Sequence, residues 1–298
     1  MRFALVIPVA AVALAGGMLV HSCDSVGGAG DHGPGTHEGP AAGVEAEIEA
    51  EVEAKAKAEA EVEVEAEVEQ LRAEVVEILP HDPTAFTQGL ELSGGTLYES
   101  TGVVGQSSVR AGPLGKPPEV RADLPQPLFG EGITVMGPTL WQLTWKNGIA
   151  IERDTRTLAE LRRVPYEDEG WGACHQRRRD RLVTTDGSSR LIFRDPRTLA
   201  KTGDVAVTAH GQPVGRLNEL ECVGDIVYAN VWPADRIVRI DANTGTVTGD
   251  IEAPALLSAA EKQHAQVMNG IAAVPGTDQF LLTGKWWPKM FRVTFVPR

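Results

Sequence analysis

Short runs of alternating apolar and polar residues recur from about residue 73 to the end of the chain, in a fixed order. A polar or aromatic residue opens each set, usually followed by Gly. The openings are Gln88-Gly89-Leu90-Glu91-Leu92, Glu131-Gly132-Ile133-Thr134-Val135 and Trp171-Gly172-Ala173-Cys174-His175. Asn218-Glu219-Leu220-Glu221-Cys222 and Asn269-Gly270-Ile271-Ala272-Ala273 complete the series. The starts fall 43, 40, 47 and 51 residues apart. A period of two along each run predicts strands, and a constant spacing between runs predicts a repeat architecture.

A second apolar run follows each opening, as in Leu140-Trp141-Gln142 or Val227-Tyr228-Ala229, and then a third, as in Leu191-Ile192-Phe193-Arg194. Asp154-Thr155-Arg156-Thr157-Leu158, Asp195-Pro196-Arg197-Thr198-Leu199 and Asp241-Ala242-Asn243-Thr244-Gly245 read as three copies of one hairpin turn. A more polar fourth run closes most sets, such as Lys201 to Thr208 and Val247 to Ile251. Four strands per unit at this spacing predict an all-β, five-bladed β-propeller over residues 73–298. The last unit ends on its third strand, so Ala73 to Leu79 is expected to supply the missing fourth and close the ring.

The first seventy residues carry a different pattern. After Met1-Arg2 the chain is apolar from Phe3 to Val20, which predicts an export segment over 1–23. Val20-His21-Ser22-Cys23 is similar to a lipobox and makes Cys23 a candidate for lipidation. Residues 24–72 are expected to be a disordered linker, rich in Gly and Pro and then in Glu, Ala and Val. Every odd position from Glu45 to Glu69 is charged, so no apolar stripe forms on a helix, and an extended acidic stalk is expected. The formal charge of -13 is concentrated here. An acidic chain with a nearly neutral folded part argues against nucleic acid as a partner. Membrane contact is expected only through the N-terminal anchor or a lipid, with the domain extracytoplasmic and monomeric. Three cysteines exclude a disulfide-dense scaffold, and 42% hydrophobic residues suffice for a core.

In a propeller the opening residues of the units surround one mouth of the central channel. That places Gln88, Glu131, Trp171, Asn218 and Asn269 together. Five residues beyond the start of the second runs stand Gly102, Trp145, Gly187, Trp232 and Lys285, expected at the same mouth. Three tryptophans beside a Glu and a Lys suggest an aromatic-walled pocket with convergent polar groups. These residues alone fit a binding propeller for peptides or glycans. Glu131, Asn218 and Asn269 also supply part of the carboxylate and amide set of a metal-dependent lactonase, although Lys285 in the same ring opposes a cation.

The motifs in sequence narrow this further. Phe86-Thr87-Gln88-Gly89-Leu90, Phe129-Gly130-Glu131-Gly132, Leu143-Thr144-Trp145-Lys146, Glu169-Gly170-Trp171-Gly172, Leu217-Asn218-Glu219, Asn230-Val231-Trp232 and Gly284-Lys285-Trp286-Trp287 keep their order and spacing. Together they closely resemble the plant and bacterial type of glutaminyl-peptide cyclotransferase, the glutamine cyclotransferases, from about Val75 to Val296. The resemblance implies a five-bladed propeller that closes the N-terminal Gln of peptides or proteins to pyroglutamate with release of ammonia, without a metal or cofactor. It also implies that the matching positions form the site. We assign Glu131 the proton transfers, and Lys285 and Asn218 the donors to a developing oxyanion. Gln88 and Asn269 are assigned to substrate binding, and Phe86, Trp145, Trp171 and Trp232 to the walls. His81, His175, His210 and His264 show no ligand spacing. Two departures from the family pattern stand out: the basic His175-Gln176-Arg177-Arg178-Arg179 loop, and Ala273 where an aromatic residue is usual, expected to widen the pocket. Cys174 and Cys222, on successive units in an oxidising compartment, are candidates for a disulfide.

Overall fold

Period-two alternation becomes strand throughout the computed structural model, which describes residues 67–298 except 254–255. The apolar leader, Cys23 and the chain up to residue 66 lie outside the described residues. In chain order the strands are β1 (Glu69–Pro80), then β2 (Thr87–Ser93), β3 (Thr96–Thr101), β4 (Ser108–Pro113) and β5 (Val120–Asp123). The next set is β6 (Gly130–Met136), β7 (Thr139–Thr144), β8 (Ile149–Asp154) and β9 (Glu160–Pro165). It is followed by β10 (Ala173–Gln176), β11 (Arg181–Thr184), β12 (Arg190–Arg194) and β13 (Lys201–Ala206). A short hairpin, β14 (Thr208–Ala209) and β15 (Gln212–Pro213), precedes β16 (Leu217–Val223), β17 (Ile226–Val231), β18 (Arg236–Asp241) and β19 (Val247–Glu252). Last come β20 (Met268–Ala273), β21 (Phe280–Gly284) and β22 (Lys289–Pro297). The only helices among the described residues are single 3-10 turns at Arg177–Arg179 and Glu261–Gln263, so the fold is all-β.

β2 to β5, β6 to β9 and β10 to β13 each form a four-stranded antiparallel sheet in chain order. Apart from the separate β14-β15 hairpin, the rest form one eight-stranded sheet, β16-β17-β18-β19-β1-β22-β21-β20. β1 is the seam of that sheet. It runs parallel to β19 over Glu69–Arg72 and antiparallel to β22 over Leu71–Pro80. The strand therefore starts at Glu69, not at Ala73, and the linker expected over 24–72 gives up its last residues to the sheet. Val68 and Leu71 are buried in two separate apolar clusters, one with Val247 and one with Ile251 and Val293. The Glu-rich alternation hid them, because the same spacing serves a solvated spacer and a strand with one wet face.

The first strands β2, β6, β10, β16 and β20 touch in cyclic order, with β20 returning to β2. Their approach is close enough to exclude side chains. A Cβ on Gly132 would lie 2.5 Å from the carbonyl oxygen of Trp171, to which the Gly132 N–H donates at 2.7 Å. In the unit where Glu219 replaces this glycine, its carboxylate takes the space and accepts from Leu90 N at 3.1 Å and Ile271 N at 2.7 Å. One side chain thus ties three first strands. Cys174 on β10 and Cys222 on β16 are bonded, with Cα atoms 5.4 Å apart, and join β10 to its neighbour β16.

The repeated turns also share one geometry. Asp154 Oδ1 accepts from the N–H of Arg156 and Thr157, and Asp195 Oδ1 from the N–H of Arg197 and Thr198. The fifth position is left-handed in all three, with φ of 57° at Leu158, 60° at Leu199 and 76° at Gly245. Gly132→Ala follows as a test of the ring. Its methyl would separate Glu131 from Trp171, and an overpacked site of this kind typically loses about 1–3 kcal/mol. Chemical denaturation beside steady-state turnover is expected to show both falling. Parent values in both would mean that the ring can open to admit a methyl.

Candidate active site

Four of the five first strands break their ladder at the same place. Register shifts lie between Thr87 and Gly89, Gly130 and Ile133, Leu217 and Leu220, and Met268 and Ile271. The residues at those breaks are Gln88, Glu131, Asn218 and Asn269. A bulge re-aims a side chain that regular pleating would send to the other face. In the third unit Trp171 stands just ahead of β10, its N–H donating to Thr185 O at 3.1 Å.

Gln88, Glu131, Trp171, Asn218, Trp145, Trp232, Lys285 and Phe86 line one cavity of about 830 Å³. Asn269 does not. It sits behind Gln88, with Nδ2 donating to Gln88 Oε1 at 3.1 Å and to Thr87 O at 3.2 Å. This fixes which way the Gln88 amide faces: its Nε2 donates to Glu131 Oε1 at 2.7 Å. Asn269, expected at the substrate, therefore stands behind Gln88 and outside the cavity lining. Ala273, expected to widen this pocket, ends β20 and lines a different cavity with Glu91 and Glu221.

Burial pushes the Glu131 carboxyl well above the ordinary carboxylate range. The Lys285 charge and the Gln88 amide pull it back, and Glu169 adds to the rise. Burial likewise lowers the Lys285 ammonium, opposed by Glu131 acting through space. The Lys285 Nζ lies 4.8 Å from the centre of the Phe86 ring. An acid pushed up and a cation pushed down share one enclosed site, a pattern that marks functional groups. Asn218 Oδ1 is buried without a partner, leaving that oxygen free to accept a hydrogen bond from a ligand. Among the described residues no three His, Cys, Asp or Glu side chains converge as metal ligands.

A second tier of residues lies two positions before each repeat start: Phe86, Phe129, Glu169, Arg216 and Val267. Of these only Phe86 is expected from the sequence, although the offset is constant and is the signal that finds the others. Phe129 packs its ring 6.1 Å from Phe86 and 5.7 Å from Trp145. The Arg216 guanidinium lies 5.3 Å from the Trp232 ring. Glu169 Oε2 accepts from the indole N–H of Trp145 at 3.0 Å and of Trp171 at 3.3 Å, and Oε1 pairs with Lys146 Nζ at 3.0 Å. Both tryptophans therefore offer the cavity only apolar ring. Gly187 seats Trp171: a Cβ there would lie 2.7 Å from the indole.

Glu169→Gln is expected to loosen both indoles and remove a negative charge that raises Glu131. KM should rise roughly threefold to tenfold, a modest effect because Glu169 is partly exposed. The acid limb of the kcat profile should move to lower pH, since Glu131 loses a neighbour that opposes its ionisation. Kinetics across a pH series checks this; an unmoved limb would show that Glu169 does not act on Glu131.

Comparisons with known proteins agree with one another. The sequence profile of the glutamine cyclotransferase family matches residues 47–295. A glutaminyl-peptide cyclotransferase of Arabidopsis thaliana is 38% identical over 227 residues, 74% of this chain and 70% of that protein. The crystal structure of the Myxococcus xanthus glutaminyl cyclase superposes with a TM-score of 0.70 at 36% identity, over 78% of this chain and 100% of that one.

Proposed function

The chain belongs to the glutamine cyclotransferase family, and from that premise we propose that it closes the N-terminal Gln of peptides to pyroglutamate by proton transfers through Glu131. The observation that carries this is a carboxyl buried under an aromatic roof, oriented by Gln88 and Asn269 and facing Lys285. In the reaction the α-amine attacks the side-chain amide carbon. A new N–C bond forms, the bond to the amide nitrogen breaks, and ammonia leaves. The attacking nitrogen gives up one proton and the leaving nitrogen gains one, so one carboxyl group can serve both steps in turn. Free α-amines have pKa values of about 7.7–8.0, so part of the nucleophile is neutral at neutral pH.

Glu131 suits this task because burial makes its carboxylate a stronger base than usual. Gln88 occupies Oε1, which leaves Oε2 for the substrate. The Lys285 ammonium and the Nδ2 amide of Asn218 are the donors for the carbonyl oxygen as charge collects on it. The tryptophans and Phe86 hold amine and amide together and exclude water, so that positioning contributes much of the rate.

The architecture that supports this reading is a five-bladed propeller closed by β1, and the cyclic contact of the first strands favours it. We also place the protein outside the cytoplasm, on the support of the apolar leader and the Cys174–Cys222 bond. Incubating the chain with a Gln-initiated peptide and measuring ammonia together with the mass of the product tests the activity. An unchanged peptide would leave a binding propeller as the answer.

A further inference from the structure

The cavity is much larger than one glutaminyl residue requires, and its extra space lies to one side. Beyond the reaction ring its lining comes from three segments: Pro233 and Asp235 after β17, Leu257 to Val267 between β19 and β20, and Trp287 between β21 and β22.

The chemistry fixes what must occupy this space. Both the α-amine and the side-chain amide of the Gln are committed to the reacting centre. Its own carbonyl is the only way out, and the next Cα follows within about 3.8 Å. The second residue of the substrate therefore lies against the wall beside the ring. The backbone of that wall has already used several of its polar groups. Lys285 N donates to Val267 O at 3.1 Å, Gln266 N to Lys285 O at 2.8 Å, and the Trp287 indole N–H to Gln266 O at 2.7 Å. What remains for a ligand is mostly the apolar surface of Leu257, Val267, Ala265 and the Trp287 ring, with the Gln266 carboxamide as a polar group among them. At the rim Lys262 and Asp235 face each other, with Nζ and Oδ2 3.6 Å apart, and neutralise one another.

We propose that this seam is the subsite for the peptide downstream of the reacting Gln, and that it selects an apolar second residue while remaining indifferent to the charge of the third. The proposal rests on the cyclisation reading above and adds the substrate class to it.

The test compares kcat/KM for glutamine amide with that for Gln-Leu-Gly, Gln-Glu-Gly and Gln-Lys-Gly amides. The Leu peptide is expected to exceed the two charged ones about tenfold, as for modest differences in apolar fit. In Leu257→Ala the ratio of the Leu peptide to glutamine amide should fall several-fold. Because Leu257 is buried, a second variant on the exposed rim is paired with it. Lys262→Glu leaves two carboxylates at the lip, and should create a preference for Gln-Leu-Lys over Gln-Leu-Glu amide of roughly threefold to tenfold at low salt. Turnover of the amide with no preference among peptides would overturn the subsite and leave the cyclisation standing, as would variants that lower all substrates in parallel. No turnover of any Gln substrate would overturn both.

Discussion

Glu131→Gln is expected to lower turnover about 100- to 10,000-fold, the usual contribution of a general acid–base group. The substitution keeps size and shape. Gln88 Nε2 can still donate to the remaining carbonyl oxygen, so the 2.7 Å contact has a substitute. The ability to carry a proton is lost. KM should change little, because Trp145, Trp171, Trp232 and Lys285 still line the cavity. In the parent, kcat should fall as pH drops through the raised Glu131 value, since the protonated acid cannot accept from the amine. That limb should lie above the ordinary Glu range of about 4.3, and should vanish in the variant. The competing role for Glu131 is that of a counter-charge that only sets the form of the pocket. It would predict a lower melting temperature with turnover within a few-fold of the parent. Lys285→Met provides the contrast: it removes both a donor and the charge that holds Glu131 down, and should damage binding and rate together. Kinetics and a melting curve on the two variants separate these outcomes.

Much of this site is legible in the sequence because a repeat forces equivalence. Once the unit is recognised, Gln88, Glu131, Trp171 and Asn218 become one kind of position, and the fold brings them to one cavity. Three features escape for physical reasons. Asn269 has the same place in its repeat, but the two neighbouring carboxamides meet each other first, so one becomes a support for the other. Glu169 reads as a loop acid, because its meaning depends on two indole N–H groups that lie 24 residues before it and two residues after it. Apart from Val267, the outer wall from Leu257 to Gln266 lies outside the repeated motifs, so repetition gives no guide to it. The bulges are visible only indirectly. A Gly beside four of the five opening residues signals a close approach of backbones, and Glu219 in the fifth shows that a side chain can fill the same space when it serves the strands around it.

The ladder is similarly clear wherever alternation has an apolar face, and unclear where Glu occupies every second place. That ambiguity bears on the second large effect, at the N-terminal strand. A chain beginning at Val68 keeps all of β1, and one beginning at Ala73 loses the parallel pairing of Glu69–Arg72 with Gly249–Glu252. It also loses Val68 and Leu71, exposed by only 7% and 3%. Burying such side chains contributes about 1.5–3 kcal/mol each. Domains of this kind have about 5–15 kcal/mol in all. The shorter chain should therefore still fold at 25 °C but melt lower, by roughly 2–4 °C for each kcal/mol lost. A chain beginning at His81 is a different case. It loses the whole antiparallel register of Leu71–Pro80 with β22, and with it the seam between β19 and β22. Two strand edges are then left open, each a template for pairing with another chain. Cooperative unfolding should disappear and aggregation take its place. Thermal melts and light scattering on the three chains give the comparison. Equal melting of the Val68 and His81 chains would mean that β1 is an ornament on a ring already closed without it.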